Sequence, residues 1–371
     1  MQLEEFFVKN LPREVAGTIS SRAFSYQQEW ALDKIITLFE EKKEFALVMD
    51  FHEDVVIFNS SKNPTHIEMF QIKTNVKKSE FTITPAVLKK QEKDNKSKPP
   101  KIKDSFLQKL LYNYNLFQNY NKTIYFVSTK PFNFSKSEKS SDTLNPIFLK
   151  DLEEEDFQDL SEQMCDICKK DKCKQKCKTE IAFEKAHLQI ETSHEQLLIK
   201  VQEIVAKYGE LTYTENKAIY ATLMAQVRTI NDSKDKYNCE EFEVLIEKYS
   251  ISRAKLESFL KKTTADKSFP KIWGEIHIAL LGEKYTALEI RNIKKWCEQV
   301  ALENYNDFEG KLNEVIIVID EVIDMPKAES FREIIEESLN EIYNKLSGNE
   351  IFALFEKEFF RAMTIMRWFN G

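Results

Sequence analysis

The sequence predicts an α/β domain followed by an all-α domain within one chain of 371 residues. Only 7 Gly and 9 Pro stand against 31% charged residues, so tight turns are few and long periodic segments favour helix. Runs that favour β-strands are concentrated in the first third of the chain. The length exceeds what one hydrophobic core usually serves, and 42% apolar residues can supply two cores.

The α/β domain is expected to follow the order αβββαβ. Apolar residues recur at three-and-four spacing over residues 26–41, which indicates one face of a helix. Three short strands are predicted at residues 45–50, 55–58 and 67–74, with the polar segment 59–64 turning before the third. A second amphipathic helix at 106–117 and a fourth strand at 123–128 complete the order.

The segment between the third strand and the second helix is basic. Residues 76–103 hold nine lysines against three acidic residues, with two adjacent prolines near the end. One interpretation is a mobile basic loop that binds DNA phosphate through Lys77, Lys78, Lys89 and Lys90. The alternative is a plain solvated linker.

A connector with four cysteines separates the two domains. We place the first domain at residues 1–140, the connector at 141–180 and a helical domain for oligomerisation or partner binding at 181–371. Cys165, Cys168, Cys173 and Cys177 have a spacing similar to that of a zinc knuckle, which predicts a structural Zn²⁺ site. The alternative is a connector with exposed thiols, and the absence of the glycines that knuckles use to turn supports it.

The helical domain offers no catalytic motif. Clear helical patterns cover residues 197–206, 218–230, 287–302 and 331–346, and the apolar run 315–319 is expected to be a buried helix. The last helix, residues 350–369, carries aromatic residues on more than one face. Burial within its own domain is one explanation, and a subunit interface, which would make the protein a homo-oligomer, is the other.

Net charge and hydropathy limit the classes of function. A net charge of −7 argues against a protein that coats nucleic acid over its whole surface, so any DNA contact must be local. The first ten residues have no apolar run long enough for a signal peptide, and no stretch reaches the length of a membrane span. We therefore expect a cytoplasmic protein without membrane contact, with reduced cysteines.

Three polar residues on the predicted strands carry the candidate chemistry. Asp54 precedes the second strand, and Gln71 and Lys73 lie two apart on the third, so these two side chains point to one face of the sheet. A carboxylate beside an amide oxygen suits Mg²⁺ or Mn²⁺, and a nearby lysine can activate water or stabilise charge on phosphate. The set predicts metal-dependent phosphodiester hydrolysis.

Two more acidic residues, Asp50 and Glu53, are close enough in sequence to support Asp54, and Glu53 is also a candidate metal ligand. The same residue types are common on edge strands that avoid aggregation, so the spacing alone leaves both interpretations open. The order of elements favours catalysis, because the succession of helix, hairpin, Gln-x-Lys strand, helix and strand resembles the core topology of the restriction-endonuclease-like superfamily with its PD-(D/E)xK motif.

Four stretches also resemble a narrower family, the antiphage double-stranded DNA endonucleases associated with CBASS, Lamassu and HerA-linked defence. They are residues 21–27 (SRAFSYQ), 50–56 (DFHEDVV), 69–74 (MFQIKT) and 126–132 (FVSTKPF). The resemblance implies that Asp54 binds metal, that Gln71 occupies the usual (D/E) position, that Lys73 is the catalytic lysine and that Gln27 is a supporting contact.

The resemblance covers about a third of the chain, and nothing in the helical half looks like a cyclic-oligonucleotide sensor. It therefore implies a Mg²⁺-dependent double-stranded DNA endonuclease of a Lamassu-like system, kept inactive until triggered, with an SMC-like or HerA-type ATPase as partner. Two alternatives remain. One is a nuclease-like adaptor or scaffold that binds DNA without cutting it, and the other is a nuclease of RNA or single strands.

Overall fold

The computed structural model describes residues 2–10, 21–74, 81–83, 91–93, 101–103, 112–134, 146–155, 179–265, 269–308, 310–323, 330–348 and 354–370. They form two compact units that are interleaved along the chain. The first comprises residues 1–197 and 227–253, and the second comprises residues 198–226 and 254–371.

A mixed seven-stranded sheet organises the first unit, in the order β11-β1-β2-β3-β7-β10-β9. The β2 strand pairs antiparallel with β1 and β3, whereas β3, β7 and β10 are parallel to one another. Two further pairs, β4 with β8 and β5 with β6, stand apart from this sheet. The strands are β1 (Ala46–Phe51), β2 (Glu53–Phe58), β3 (Ile67–Lys73), β4 (Phe81–Ile83), β5 (Gln91–Lys93), β6 (Lys101–Lys103), β7 (Lys122–Ser128), β8 (Phe132–Phe134), β9 (Ile147–Phe148), β10 (Ile181–Lys185) and β11 (Ser250–Ser252).

Helices cover this sheet. The long helix α2 (Ser21–Glu40) packs through Trp30, whose ring lies 5.0 Å from that of Phe70 on β3. A core cluster of buried residues joins α1 (Leu3–Lys9), the helical residues 112–116 and a helix over 242–249 to the sheet. Apolar side chains from sheet and helices are buried together there, and this burial is the main stabilising contribution to the first unit.

The second unit is helical around a separate core. Two helices, α3 and α4, have residues in both units, because the chain passes from the first unit to the second and back. The helices after α2 are α3 (Ser193–Ala206), α4 (Tyr213–Asp232), α5 (Phe242–Tyr249), α6 (Arg253–Ala265), α7 (Phe269–Gly282), α8 (Ala287–Asn306), α9 (Asn313–Ile323), α10 (Phe331–Lys345) and α11 (Lys357–Asn370).

Most of the predicted elements are present. The helix at α2, the strands β1, β2, β3 and β7, and the helical patterns of the second unit all appear within a few residues of the expected bounds. The run 315–319 lies in helix α9, as predicted. The last helix, α11, has seven buried residues, and six of them belong to the core of its own unit, which confirms the first of the two explanations for its aromatic pattern in these residues.

The division of the chain differs from the predicted boundaries at residues 140 and 180. Residues 181–185 were expected to begin the helical domain, but they form β10, which pairs in parallel with β7. The three residues of β11 pair with β1, although they lie far along the chain. Runs of three to five residues are too short for periodicity to separate strand from helix, and long-range pairing decides their conformation.

Two predicted sites lie outside the described residues. They are the four lysines Lys77, Lys78, Lys89 and Lys90 of the basic segment, and the cluster of Cys165, Cys168, Cys173 and Cys177. Among the helices that the structure does describe, none is both long and apolar enough to cross a membrane.

Candidate active site

Asp54 lies at the start of β2, where its carboxylate is held from two sides. The Oδ2 atom accepts a hydrogen bond from the backbone N–H of Ile72 on β3, with a distance of 2.7 Å. The side chain of Gln27, on α2, also hydrogen-bonds this carboxylate, and its Nε2 donates to the Ile72 carbonyl at 3.3 Å. The acid is therefore fixed to the middle of the sheet and to the helix that covers it.

Lys73 brings a positive charge to the same carboxylate. Its Nζ lies 4.0 Å from Asp54 Oδ2, and both side chains retain partial access to solvent. Attraction between two charges at this distance is substantial where water is partly excluded. The structure thus brings Gln27, Asp54 and Lys73 together.

Gln71 lies on β3, the strand next to Asp54, but it differs from Asp54 and Lys73 because its side-chain oxygen lacks a hydrogen-bond partner within the described part of the chain. The β2–β3 register ends with Val55 paired to Phe70, and Asp54 and Gln71 are the next residues of the two antiparallel strands. Gln71 is buried, and its Oε1 atom has no hydrogen-bond partner among the described residues. A buried amide oxygen without a partner is costly, so this atom is suited to accept a ligand.

Burial raises the pKa of Asp54 above its ordinary value. The Lys73 ammonium opposes this shift most strongly, followed by the hydrogen bonds from Ile72 and Gln27, while the charge of Asp50 adds to it. Removal of the carboxylate from water disfavours its ionised form, and a nearby cation favours that form. A cation bound at Asp54 would act in the same direction as Lys73 and favour the ionised carboxylate.

Asp50 and Glu53 were expected to support Asp54, but in the structure their carboxylates accept hydrogen bonds from other residues. Asp50 Oδ2 accepts a hydrogen bond from Tyr237 at 3.0 Å, and Glu53 Oε1 accepts one from Asn113 at 2.8 Å. Within the described ranges, no three or more His, Cys, Asp or Glu side chains form a group that could hold a metal ion. The predicted carboxylate cluster around Asp54 is therefore not formed.

The conformation of the β1–β2 hairpin explains this divergence. Asp50 and His52 both have left-handed backbone conformations, with φ of 49° and 66°. Ala46, Val48 and Phe51 share one core cluster, so the alternation of side chains shifts by one residue at Asp50. Closeness in sequence, on which the prediction for Asp50 and Glu53 relied, therefore does not bring their side chains together with Asp54 across this turn.

His52 fills the inside of this hairpin. Its ring lies 4.7 to 5.1 Å from those of Phe7, Phe51 and Phe117, and its Nε2 is 3.3 Å from the Phe7 carbonyl. Burial lowers the pKa of His52 to about 4, so the ring is neutral at neutral pH. It serves packing and not proton transfer.

Three residues around the hairpin were not foreseen from the sequence. Asn113 Nδ2 donates to the His52 carbonyl at 2.7 Å as well as to Glu53. Tyr237 and Lys236 bind the end of β1 from about 190 residues away. Asn113 could have been noticed as a polar residue beside Tyr114 on an apolar helix face, but nothing local marks Lys236 or Tyr237.

The donor set fits a hard divalent cation. Asp54 offers a carboxylate, Gln71 offers an amide oxygen that lacks a partner, and both belong to the oxygen ligands that Mg²⁺ prefers. Mg²⁺ commonly keeps several waters and needs few protein ligands. A lysine next to such an ion can bind phosphate or handle the proton of a water molecule.

Comparison with protein families gives one match to this part of the chain. The family model described as "Cap4, dsDNA endonuclease domain" matches residues 15–230, which is more than half of the chain and includes Gln27, Asp54, Gln71 and Lys73. No curated protein and no solved structure matches the chain significantly.

Proposed function

Because the chain belongs to the Cap4 double-stranded DNA endonuclease domain family, and is therefore a DNA endonuclease of antiphage defence, we propose that Asp54, Gln71 and Lys73 form its active centre. The observation that carries this proposal is the approach of Lys73 Nζ to Asp54 Oδ2, at 4.0 Å, on a carboxylate anchored by the Ile72 amide. Gln27 is the supporting residue.

The second part of the proposal is dependence on Mg²⁺ or Mn²⁺. Asp54 and the Gln71 amide oxygen would hold the ion, which would supply Lewis-acid stabilisation of the phosphate and a more acidic water. What supports this is the unpartnered Oε1 of the buried Gln71, on the strand next to Asp54, together with the Asp54 carboxylate that the Ile72 amide holds in place. Neither Glu53 nor Asp50 is needed for this arrangement.

Lys73 would supply the positive charge that the protein itself brings to the phosphate. Its ammonium lies beside the metal-binding carboxylate and is partly exposed, so an incoming phosphate can reach it. There it would donate to a non-bridging oxygen as negative charge develops, or orient the attacking water. Gln27 and the Ile72 N–H would keep the Asp54 carboxylate in place during this step.

The third part concerns the biological setting. We place the enzyme in a Lamassu-like system in the cytoplasm, as an effector that is held inactive until triggered and that works with an SMC-like or HerA-type ATPase. The family match ends at residue 230, which leaves most of the helical unit for another role. Ile278 and Leu281, three residues apart on α7, are 73% and 56% exposed, which supports contact with a partner or with another copy.

A cleavage assay tests the activity and its metal. Supercoiled plasmid is incubated with the protein, alone and with the proteins encoded by neighbouring genes, with Mg²⁺ or with EDTA. We expect double-strand breaks that require Mg²⁺ and that disappear in Asp54→Ala but persist in Glu153→Ala, which removes an exposed acid of the same unit. Equal cutting by Asp54→Ala, or faster cutting of RNA or single strands, would overturn the proposal.

A further inference from the structure

A short 3₁₀ helix, Asp235–Asn238, lies just beyond the region that matches the family and contacts the end of β1 through two side chains. These are Lys236 and Tyr237, and they bind three acceptor atoms of Met49 and Asp50, on the strand that leads into the active-site hairpin. The contacts bridge 187 residues of sequence, so they exist only in the folded chain.

Tyr237 holds Asp50 at both its backbone and its side chain. The hydroxyl group is 2.8 Å from the Asp50 carbonyl oxygen and 3.0 Å from Oδ2, within hydrogen-bond range of both acceptors. The Tyr237 ring also stacks on Phe51, with 5.6 Å between centroids and 24° between planes. The hydroxyl and the ring therefore constrain two consecutive residues of the hairpin.

Lys236 ties the same strand to the end of a helix. Its side chain is buried, and Nζ donates to the carbonyl of Met49 at 2.8 Å and to those of Ile230 and Asn231 at 3.2 and 2.7 Å. All three ammonium protons are thus used, two of them on C-terminal carbonyls of α4. A buried ammonium is expensive unless it is satisfied in this way, and an apolar residue could not make these contacts.

The hairpin needs such a restraint because its backbone is strained. Asp50 has a φ of 49°, a left-handed conformation that L-residues rarely adopt and that surrounding structure must hold. The change in alternation at Asp50 sets the course of the next four residues, which end at Asp54. If Asp50 relaxed to an extended conformation, the hairpin would turn differently and Asp54 would move relative to Ile72.

We propose that Tyr237 and Lys236 are positioning residues for the active centre, and that they hold the β1–β2 hairpin so that the Asp54 carboxylate stays on the Ile72 amide. This inference rests on the proposed function, in which Asp54 is the acid of the active centre. It adds to the active centre a component that lies outside the matched residues 15–230.

The test uses Tyr237→Phe in the full-length protein, because this change removes the hydroxyl and keeps the ring that stacks on Phe51. The readout is residue-resolved hydrogen exchange of the Ile72 amide, which reports the Asp54 contact directly without any need for activity. We expect exchange of this amide to become about tenfold faster, in line with the loss of a hydrogen bond to a charged group. An unchanged Ile72 exchange rate would overturn the inference.

Two variants calibrate this readout. Asp54→Ala removes the acceptor, so it should raise Ile72 exchange at least as much as Tyr237→Phe, and no effect would overturn the contact on which the inference depends. Tyr305→Phe is the matched control in the second unit, where the Tyr305 hydroxyl donates to the buried Glu215 at 2.8 Å. It should cost similar stability and leave Ile72 exchange unchanged, whereas a rise equal to that in Tyr237→Phe would mean general loosening.

The kinetic arm separates positioning from simple loss of structure. For the cutting enzyme we expect Tyr237→Phe to lower kcat by about tenfold with little change in KM, and Tyr305→Phe to change neither. Lys236→Met should give a larger fall in the same direction. If Lys73→Ala still cuts, the proposed function fails on its own. If Lys73→Ala is inactive while Tyr237→Phe has full kcat and normal Ile72 exchange, the positioning role alone fails.

Discussion

Gln71 is the weakest ligand of the proposed metal site. Its amide oxygen is neutral, whereas carboxylates are the usual protein ligands of Mg²⁺. The structure adds no further carboxylate to Asp54, since Asp50 and Glu53 are bound by Tyr237 and Asn113. The site should therefore bind metal weakly until DNA phosphate completes the coordination.

Substitution of Gln71 tests this directly. Gln71→Glu should lower the Mg²⁺ concentration needed for half-maximal cutting by roughly tenfold, because it adds a charged oxygen ligand. Gln71→Met has a similar volume but no oxygen, and it should raise that concentration. The measurement is a Mg²⁺ titration of the cleavage rate. Three identical titration curves would show that Gln71 does not bind the ion.

His52 gives a prediction for stability against pH. Its pKa is lowered to about 4 in the folded protein, so between about 4 and the ordinary value of 6.5 the unfolded chain binds more protons than the folded one. The contribution of His52 to the free energy of unfolding is fully present above pH 6.5 and is lost as the pH falls toward 4. At pH 5 the loss should be about 2 kcal/mol.

Chemical denaturation at pH 7 and pH 5 measures this loss. His52→Asn is the matched variant, since asparagine tolerates the left-handed φ of 66° at this position and has no titrating ring. The variant should lose about 2 kcal/mol less than the parent between the two pH values. Equal losses would mean that His52 protonates without cost to the fold.

Among the elements, the β1–β2 hairpin depends on Asn113 from the helical residues 112–116. Its Nδ2 group donates to the His52 carbonyl and to the Glu53 carboxylate, and both acceptors belong to the turn. Asn113→Ala should lower the free energy of unfolding by about 2 to 3 kcal/mol, because the buried Glu53 carboxylate loses the hydrogen bond from Asn113 Nδ2. Urea denaturation measures this.

Gln118→Ala, an exposed position a few residues further on, is the control for Asn113→Ala. It should change stability by less than about 0.5 kcal/mol. A comparable effect of the two variants would mean that Asn113 acts through its helix and not through the hairpin.

The elements also show how far sequence reasoning extends. Periodicity located α2, β1, β2, β3 and β7, because each is long enough to repeat its pattern. The positions of Asp54, Gln71 and Lys73 followed from strand order. The turn at Asp50 and the contacts of Glu53 did not, because they depend on a left-handed residue and on Asn113 and Tyr237, which are distant in sequence.

For the whole molecule, the interleaved units mean that the nuclease unit does not end where the family match ends. Residues 231–253 include helix α5 and strand β11, and they bury Phe242, Leu245, Ile246 and Ile251. Burial of each such side chain contributes about 1.5 to 3 kcal/mol. The core of the first unit therefore includes residues 227–253, which come after the segment 198–226 of the second unit.

Two truncations test this organisation. Chains ending at residue 230 and at residue 253 both expose the same apolar residues of α3 and α4, and they differ only in the segment that completes the sheet. We expect the longer chain to unfold cooperatively at a clearly higher temperature, and the shorter one to be rapidly digested by protease. Equal melting temperatures would show that β11 and the Lys236 contacts are dispensable.

The roles proposed for Lys73 and Asp54 are tested by the single-turnover rate of duplex cleavage by Lys73→Met. Lys185→Met is the control, because Lys73 and Lys185 flank Ser128 at the same level of the sheet, on β3 and β10. We expect a fall of at least about 100-fold for Lys73→Met with unchanged DNA affinity, and a near-normal rate for Lys185→Met. A Lys73→Met rate within about threefold of that of the unsubstituted enzyme would contradict these roles, because loss of a general acid or base lowers the rate far more.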